Sequence, residues 1–332
     1  MLPIDRTIGR TQLRVGPFGF GGAPIGDLKR APSDGDVQQL LSAVWDAGIR
    51  YFDTAPLYGL GLSERRIGDF LRDRPREHYV LATKVGRLLE PVPGAAGSRR
   101  MPFRAVYDYS YDGVMRSAEA SLQRLGLASV DMLLLHDLGR QTHGERHAEM
   151  FGQAISGGAR AIEELKRNGL ISAVGLGVNE WQVCEELAAE MEVDCFLLAG
   201  RYTLLDQSAV DSFLPLCRAR GIAVVVGSVF HRGVLATGAV PGALEYGQPA
   251  AEPVLAVVRR MEAICAAHGV SLRTAAMHFP LLEPAVTMVI PGLSRHAELV
   301  ENLPLLTAKI PPALWADFKA AGLIRAEADT GA

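Results

Sequence analysis

Cysteine is scarce in this chain, with four in 332 residues, at positions 184, 195, 217 and 265. No two of them form a C-x-x-C pair. A zinc site or a disulfide framework is therefore not expected, and free buried thiols in a reducing cytoplasm are the simpler reading. An excess of one charge is missing too: the formal net charge is −3. Nucleic-acid binding needs a basic stripe, so no such partner is expected. No apolar stretch approaches the ~20 residues needed to cross a bilayer. The opening MLPIDRTIGRTQLRV lacks the apolar run of a signal peptide. No charge run, low-complexity tract or domain boundary interrupts the chain. The expectation is one domain over 1–332, with 325–332 as a frayed tail, that is cytoplasmic and a monomer or weak homo-oligomer.

What the chain does have is repetition. Eight short apolar runs recur: 16–22, 49–55, 79–86, 130–137, 171–179, 194–200, 222–229 and 285–292. Several are apolar on consecutive positions, as in parallel strands buried on both faces. Helical patterns lie between them. Residues 37–48, 113–126 and 159–169 space their apolar residues at three and four, and each ends in glycine, a helix stop. Strand–helix alternation repeated eight times predicts an α/β fold, the (β/α)8 TIM barrel. An open doubly wound sheet would want a nucleotide fingerprint after its first strand. Gly19-Phe20-Gly21-Gly22-Ala23-Pro24 and Gly175-Leu176-Gly177-Val178-Asn179-Glu180 both miss it. Two connections are long, 87–112 after the third strand and 138–158 after the fourth. In a barrel these are active-site loops.

Four reactive side chains stand at or just past the ends of three successive strands: Asp53, Tyr58, Lys84 and His136. Each alone reads as packing or as a structural ion pair. Together, on neighbouring strands, they converge on the barrel end where such folds place chemistry. A phenol with a pKa near ~10 is a poor proton trader at neutral pH. An ammonium beside it lowers that value, and a carboxylate holds the ammonium. Lys84 and Asp53 supply the two charges, and His136 orients a substrate oxygen. His143 and His147 have the i, i+4 spacing of a metal pair, but without a third ligand in view no metal is expected.

The residues Gly48 to Ala55 with Tyr58-Gly59 and Ser63-Glu64, then Ser121 to Gly126 with Asp131 to His136, then Ile290-Pro291-Gly292 with Glu301-Asn302, resemble the three signatures of the aldo-keto reductases. The resemblance runs in order along nearly the whole chain. It implies Asp53, Tyr58, Lys84 and His136 as a catalytic tetrad, and an extended NAD(P) across the barrel mouth. It further implies Gly22, Asp53, Asn179, Ser228, Phe230, Gly233, Ile290, Gly292, Arg295, Glu298, Glu301 and Asn302 around the nucleotide. Tyr109, Trp181 and His231 are implied at the substrate. Residues 107–113, 136–139, 177–180 and 198–205 are similar to the bacterial sugar 1-dehydrogenases, a branch with D-threo-aldose, L-fucose and pyridoxal 4-dehydrogenases. That likeness implies oxidation of an aldose hemiacetal to a lactone. Many relatives carry Gln at Ala199 and Tyr at Gly227, so the nicotinamide is expected to be held by Asn179, with Phe230 or Trp181. Glu298 stands where NADP-preferring relatives carry arginine. A carboxylate there repels a 2′-phosphate, which favours NAD over NADP, although Arg295 is three residues away. Two alternatives stay open. One is a detoxifying, NADPH-dependent carbonyl reductase, and the other is a cofactor-binding, redox-sensing regulatory protein.

Overall fold

The computed structural model describes residues 5–27, 32–93, 101–245 and 247–330. Each of the eight apolar runs contributes one barrel strand: β1 Phe20–Gly21, β2 Tyr51–Asp53, β3 Val80–Val85, β4 Met132–His136, β5 Ala173–Val178, β6 Cys195–Ala199, β7 Ala223–Gly227 and β8 Val286–Ile290. They pair in parallel and in chain order. Parallel bridges from Phe18 to Val289 and from Gly21 to Gly292 bring β8 back to β1. The architecture is a (β/α)8 TIM barrel.

The main helices are α1 Asp34–Asp46, α2 Leu62–Leu71, α3 Tyr111–Leu125, α4 Ala159–Arg167, α5 Gln182–Glu190, α6 Phe213–Arg220, α7 Glu252–Ala267, α8 Leu272–His278, α9 His296–Leu306 and α10 Pro312–Ala320, with shorter ones at Arg140–His143, His147–Gln153 and Val234–Thr237. Their ends follow local chemistry. Ser33 and Asp36 form a reciprocal capping box at the start of α1, with contacts of 3.2 and 3.3 Å. Gly126 ends α3 at φ 66°, a conformation that a β-carbon disfavours.

Alternation along each strand separates two cores. Inside the barrel lie Tyr51, Val80, Ala82, Met132, Leu134, Cys195, Leu197, Val225 and Met288, with Ile8 and Val15 of the N-terminal hairpin. That hairpin pairs Arg6–Thr7 with Arg14–Val15 and closes the end where the strands begin. Outward residues such as Phe52, Leu133, Leu176 and Val226 pack against the helices. Each such side chain contributes about 1.5–3 kcal/mol by leaving water. Period two also decides the site. Asp53, Lys84 and His136 share parity with Tyr51, Ala82 and Leu134, so they form the top inward layer.

The long connections carry secondary structure of their own. The connection after β3 is an antiparallel hairpin of Arg87–Pro91 with Phe103–Tyr107; its stretch 94–100 lies outside the described residues. The segment 138–158 is mostly helical, with His147–Gln153 passing through a π turn at Ala154–Gly158 into α4. Glycines allow this, because an added β-carbon would lie 2.7 Å from Tyr111 N at Gly157 and 2.8 Å from Tyr109 O at Gly158. Within the tail expected to fray, residues 325–330 are packed against the body. Ala328 and Thr330 are buried, and Arg325 pairs with Asp211 at 2.5 Å, fixing the chain against the body; residues 331–332 lie outside the described set.

Candidate active site

The barrel mouth is lined by the ends of β3, β4, β5 and β6 and by the loops that follow β1, β2 and β7. Lys84 Nζ lies 2.8 Å from each Asp53 oxygen and 2.8 Å from the Thr54 carbonyl. Both side chains are almost wholly buried. A buried ion pair survives only with such saturation of its donors and acceptors. Burial alone would lower Lys84, but the charges and hydrogen bonds of Asp53 and Tyr58 together outweigh it, and the ammonium is held above its ordinary range. Burial pushes the Asp53 carboxyl up, and Lys84 opposes it.

Tyr58 arrives from the loop after β2. The ammonium of Lys84 lies 4.7 Å from its ring centroid, and the ring meets that of His136 edge-on at 6.1 Å. The tuning differs from the expected one. Burial raises the Tyr58 hydroxyl above the usual phenol value, Lys84 pulls it back, and Asp53 adds to the rise, so the balance is upward. Desolvation of the phenolate is an effect that a sequence does not display. His136 is pushed well below the ordinary histidine range by burial, then by Lys84 and Arg87. It is therefore a neutral imidazole, and its Nδ1 is buried without a partner.

These groups open onto a cavity of about 420 Å³ lined by Tyr58, Lys84, His136, Asn179, Ala199 and Ser228 among others. Ala199 and Gly227 are register partners on its floor. A β-carbon added to Gly227 would lie 3.6 Å from that of Ala199, so the pair leaves open space where larger side chains would fill it. Asn179 and Ser228 stand at the edge of this floor.

The remaining expected nucleotide residues are scattered along one rim. Gly22 donates its N–H to the Asp53 carbonyl at 2.8 Å, and a β-carbon there would lie 2.6 Å from that oxygen. Ile290 ends β8, and Gly292 packs on Pro24. Arg295 and Glu298 line a separate groove of about 640 Å³ with Asp36 and Gln39. Glu298 caps α9, accepting from Ser294 N at 2.7 Å and from Arg295 Nε at 3.1 Å; the capping contacts hold its carboxyl below the usual range against the effect of burial. Arg273 reaches Glu301 at 3.3 Å and the Asn302 side-chain oxygen at 2.7 Å. Gly233 stands at φ 143° in the loop after β7, and Phe230 packs against the core.

Tyr109, Trp181 and His231, expected in the substrate pocket, do not line this cavity. Tyr109 is fully buried behind it, donating its hydroxyl to the His136 carbonyl at 2.6 Å. The Trp181 indole N–H donates to Ser208 at 3.2 Å. His231 is spent on Thr203 and Glu245, at 3.3 and 3.1 Å. His143 meets Tyr109 at 3.1 Å, while His147 meets Leu138 O at 3.1 Å and Glu186 at 2.8 Å, so the two face different partners. Sequence reasoning assigned no role to Asp137, Arg87 and Arg232. Asp137 follows His136 directly and pairs with Arg87, and Arg232 donates to Asn179 Oδ1 at 2.9 Å. Their only signal was adjacency to the strand ends.

The profile of the aldo/keto reductase family matches residues 17–322. The chain is 43% identical to a pyridoxal 4-dehydrogenase of Microbacterium luteolum, over 96% of this chain and 97% of that protein. It is 39% identical to a D-threo-aldose 1-dehydrogenase of a Pseudomonas species, over 94% and 95%. Among solved structures, it resembles an aldo-keto reductase from Bacillus halodurans in its holo form, with TM-score 0.75, 25% identity, and 98% and 96% of the two chains covered.

Proposed function

Because this chain belongs to the aldo/keto reductase family, and is thus an oxidoreductase acting with a nicotinamide nucleotide on a small molecule, we propose that it oxidises the anomeric hydroxyl of an aldose hemiacetal to the lactone, with NAD as the favoured nucleotide. The observation that carries the reading is the Tyr58–Lys84–Asp53–His136 cluster at the barrel mouth. The D-threo-aldose 1-dehydrogenase relative supports the substrate class.

Asn179, Ser228, Ile290, Gly292, Arg295 and Glu298 would hold the nucleotide along the mouth and rim. When bound, that group accepts a hydride and brings, in its oxidised form, a positive ring charge. Tyr58 takes the anomeric hydroxyl proton onto its Oη as the carbon–hydrogen bond breaks and the carbonyl forms. Lys84 stabilises the phenolate that precedes this transfer, and Asp53 keeps Lys84 charged and in place. Neutral His136 donates a hydrogen bond to the substrate oxygen without competing for its proton. In the reverse direction Tyr58 is the acid.

The NAD preference rests on Glu298. Its carboxylate neutralises Arg295 at the groove rim and repels a 2′-phosphate. A cytoplasmic location belongs to the same reading, since all four cysteines are free and buried. The test is a screen of NAD and NADP reduction over aldoses and pyridoxal, with the product assayed as a lactone. Lactone formation with NAD is expected. Turnover confined to NADPH-driven reduction of simple aldehydes would replace this reading by a carbonyl reductase.

A further inference from the structure

Beside the reacting groups, the mouth holds a carboxylate that the chemistry above does not use. Asp137 follows His136 and lines the same cavity. Its side chain is 14% exposed. The backbone there is left-handed, at φ 53°, a conformation strained for a non-glycine residue. The surroundings hold it there. Its N–H donates to the Gly177 carbonyl at 2.9 Å, and its carbonyl lies 3.3 Å from the Tyr109 hydroxyl.

The charge is held from behind. Arg87 pairs with Oδ2, and its guanidinium stacks 4.5 Å from the Tyr107 centroid, which pins it in turn. Oδ1 is reached by the Asn179 amide at 3.5 Å, the far limit of a hydrogen bond. His136 Nε2 stands 3.6 Å from Oδ2. A carboxylate oxygen with room for a stronger donor therefore faces the cavity within one side chain of the reacting centre. An ionised carboxylate only accepts hydrogen bonds, so it needs donors. A substrate hydroxyl beside the reacting carbon supplies them, whereas an aldehyde or alcohol without further hydroxyls leaves Oδ1 with only the long Asn179 contact. Rejection by an unpaired buried acceptor discriminates more strongly than a missing apolar contact.

We infer that Asp137, backed by Arg87, is a specificity-determining residue that selects polyhydroxylated substrates by accepting a hydrogen bond from a sugar hydroxyl next to the reacting carbon. This rests on the aldose reading for the identity of the substrate, and the test separates the two. The protein saturated with NAD is titrated by calorimetry with a panel of 1,5-anhydroalditols, which keep ring hydroxyls and lack the anomeric one. Wild type is expected to bind at least one member of the panel, and Asp137→Asn to bind it roughly 10- to 150-fold more weakly, the range for a hydrogen bond to a charged group. The double variant Arg87→Gln/Asp137→Asn, which removes both charges together, should show the same loss. In turnover, the kcat/KM ratio of aldose to benzyl alcohol should fall by a similar factor, mostly through KM.

Lactone formation by wild type tests the activity; anhydroalditol affinity tests Asp137. An enzyme that makes lactone while both variants bind the polyol as tightly as wild type overturns the inference and spares the activity. Polyol binding that depends on Asp137 without lactone formation does the reverse. Failure of wild type to bind any of the polyols, or an equal loss of kcat/KM on both alcohols, also overturns it.

Discussion

The two ends of this barrel carry similar charges and use them differently. At the base, Asp131 accepts from Leu81 N at 2.7 Å and from Arg76 at 2.8 Å. Asp194 does the same with Val174 N at 3.0 Å and Lys166 at 3.1 Å. Each carboxylate ties one strand to the next and is matched by a cation at the edge. At the mouth, Lys84 and Asp53 are sealed from water, His136 Nδ1 lacks a partner, and Tyr58 waits on a proton. Among the described residues, every non-glycine with positive φ (Leu60, Asp137, Ser228, His231 and Arg232) follows the carboxyl end of a strand. Backbone strain collects where chemistry happens, and the basal carboxylates, tied to strand N–H groups and cations, hold the fold. Size points the wrong way, because the basal cavity, near Arg14, Arg50 and Arg76, is about 800 Å³ against about 420 Å³ at the mouth. The identity and unmet needs of the lining groups decide the matter.

The sharpest way to break this comparison is at Tyr58. Tyr58→Phe should lower kcat by roughly 10²–10⁴, the usual worth of a general acid–base group, while nucleotide affinity by fluorescence titration stays close to wild type. Retained turnover would take the phenol out of the reaction. Wild-type kcat/KM for oxidation should also climb with pH through the neutral range toward the raised Tyr58 value, and that climb should be flat in the variant.

Asp131→Asn should do the opposite. Denaturant unfolding should show a loss of about 1–3 kcal/mol, since a charged acceptor leaves Leu81 N and Arg76. The activity of the folded enzyme should be unaltered. A fall in kcat at full stability would erase the distinction between the ends.

A smaller effect concerns pH and stability. The folded-state value of His136 lies well below the unfolded one of ~6.5. Below that pH the unfolded chain binds a proton that the folded chain refuses, so stability should drop as pH falls through 6.5 and level off above it. His136→Asn should reduce the slope between pH 5 and 6.5; an unchanged slope would assign it to His143, His231 and His278, which are also lowered.

The smallest expected effect is at the rim. Glu298→Arg should move the NADP to NAD ratio of kcat/KM upward by about tenfold, equivalent to ~1.4 kcal/mol. It should also cost about 1 kcal/mol through loss of the α9 cap. An unmoved ratio would leave the residue a cap alone.

Much of this molecule was legible in its residue order. Eight apolar runs separated by helix-spaced segments required parallel strands with crossover helices, and the position of Asp53, Lys84 and His136 at strand ends put them on one rim. The contents of the long connections were not legible. A run such as GRQTHGERH reads as a loop until Gly157 and Gly158 let its helix press against the backbone before α3. Nor was the pocket lining, because Tyr109, Trp181 and His231 found hydrogen-bond partners far along the chain.

Alternation and spacing by themselves determined the barrel and the layer of reactive side chains, since period two along a strand is a local property of the backbone. The direction in which the phenol is tuned, the neutral state of His136 and the pairing of Asp137 with Arg87 were decided only in three dimensions. Those depend on desolvation and on charges from distant strands, which exist only once the chain has closed on itself.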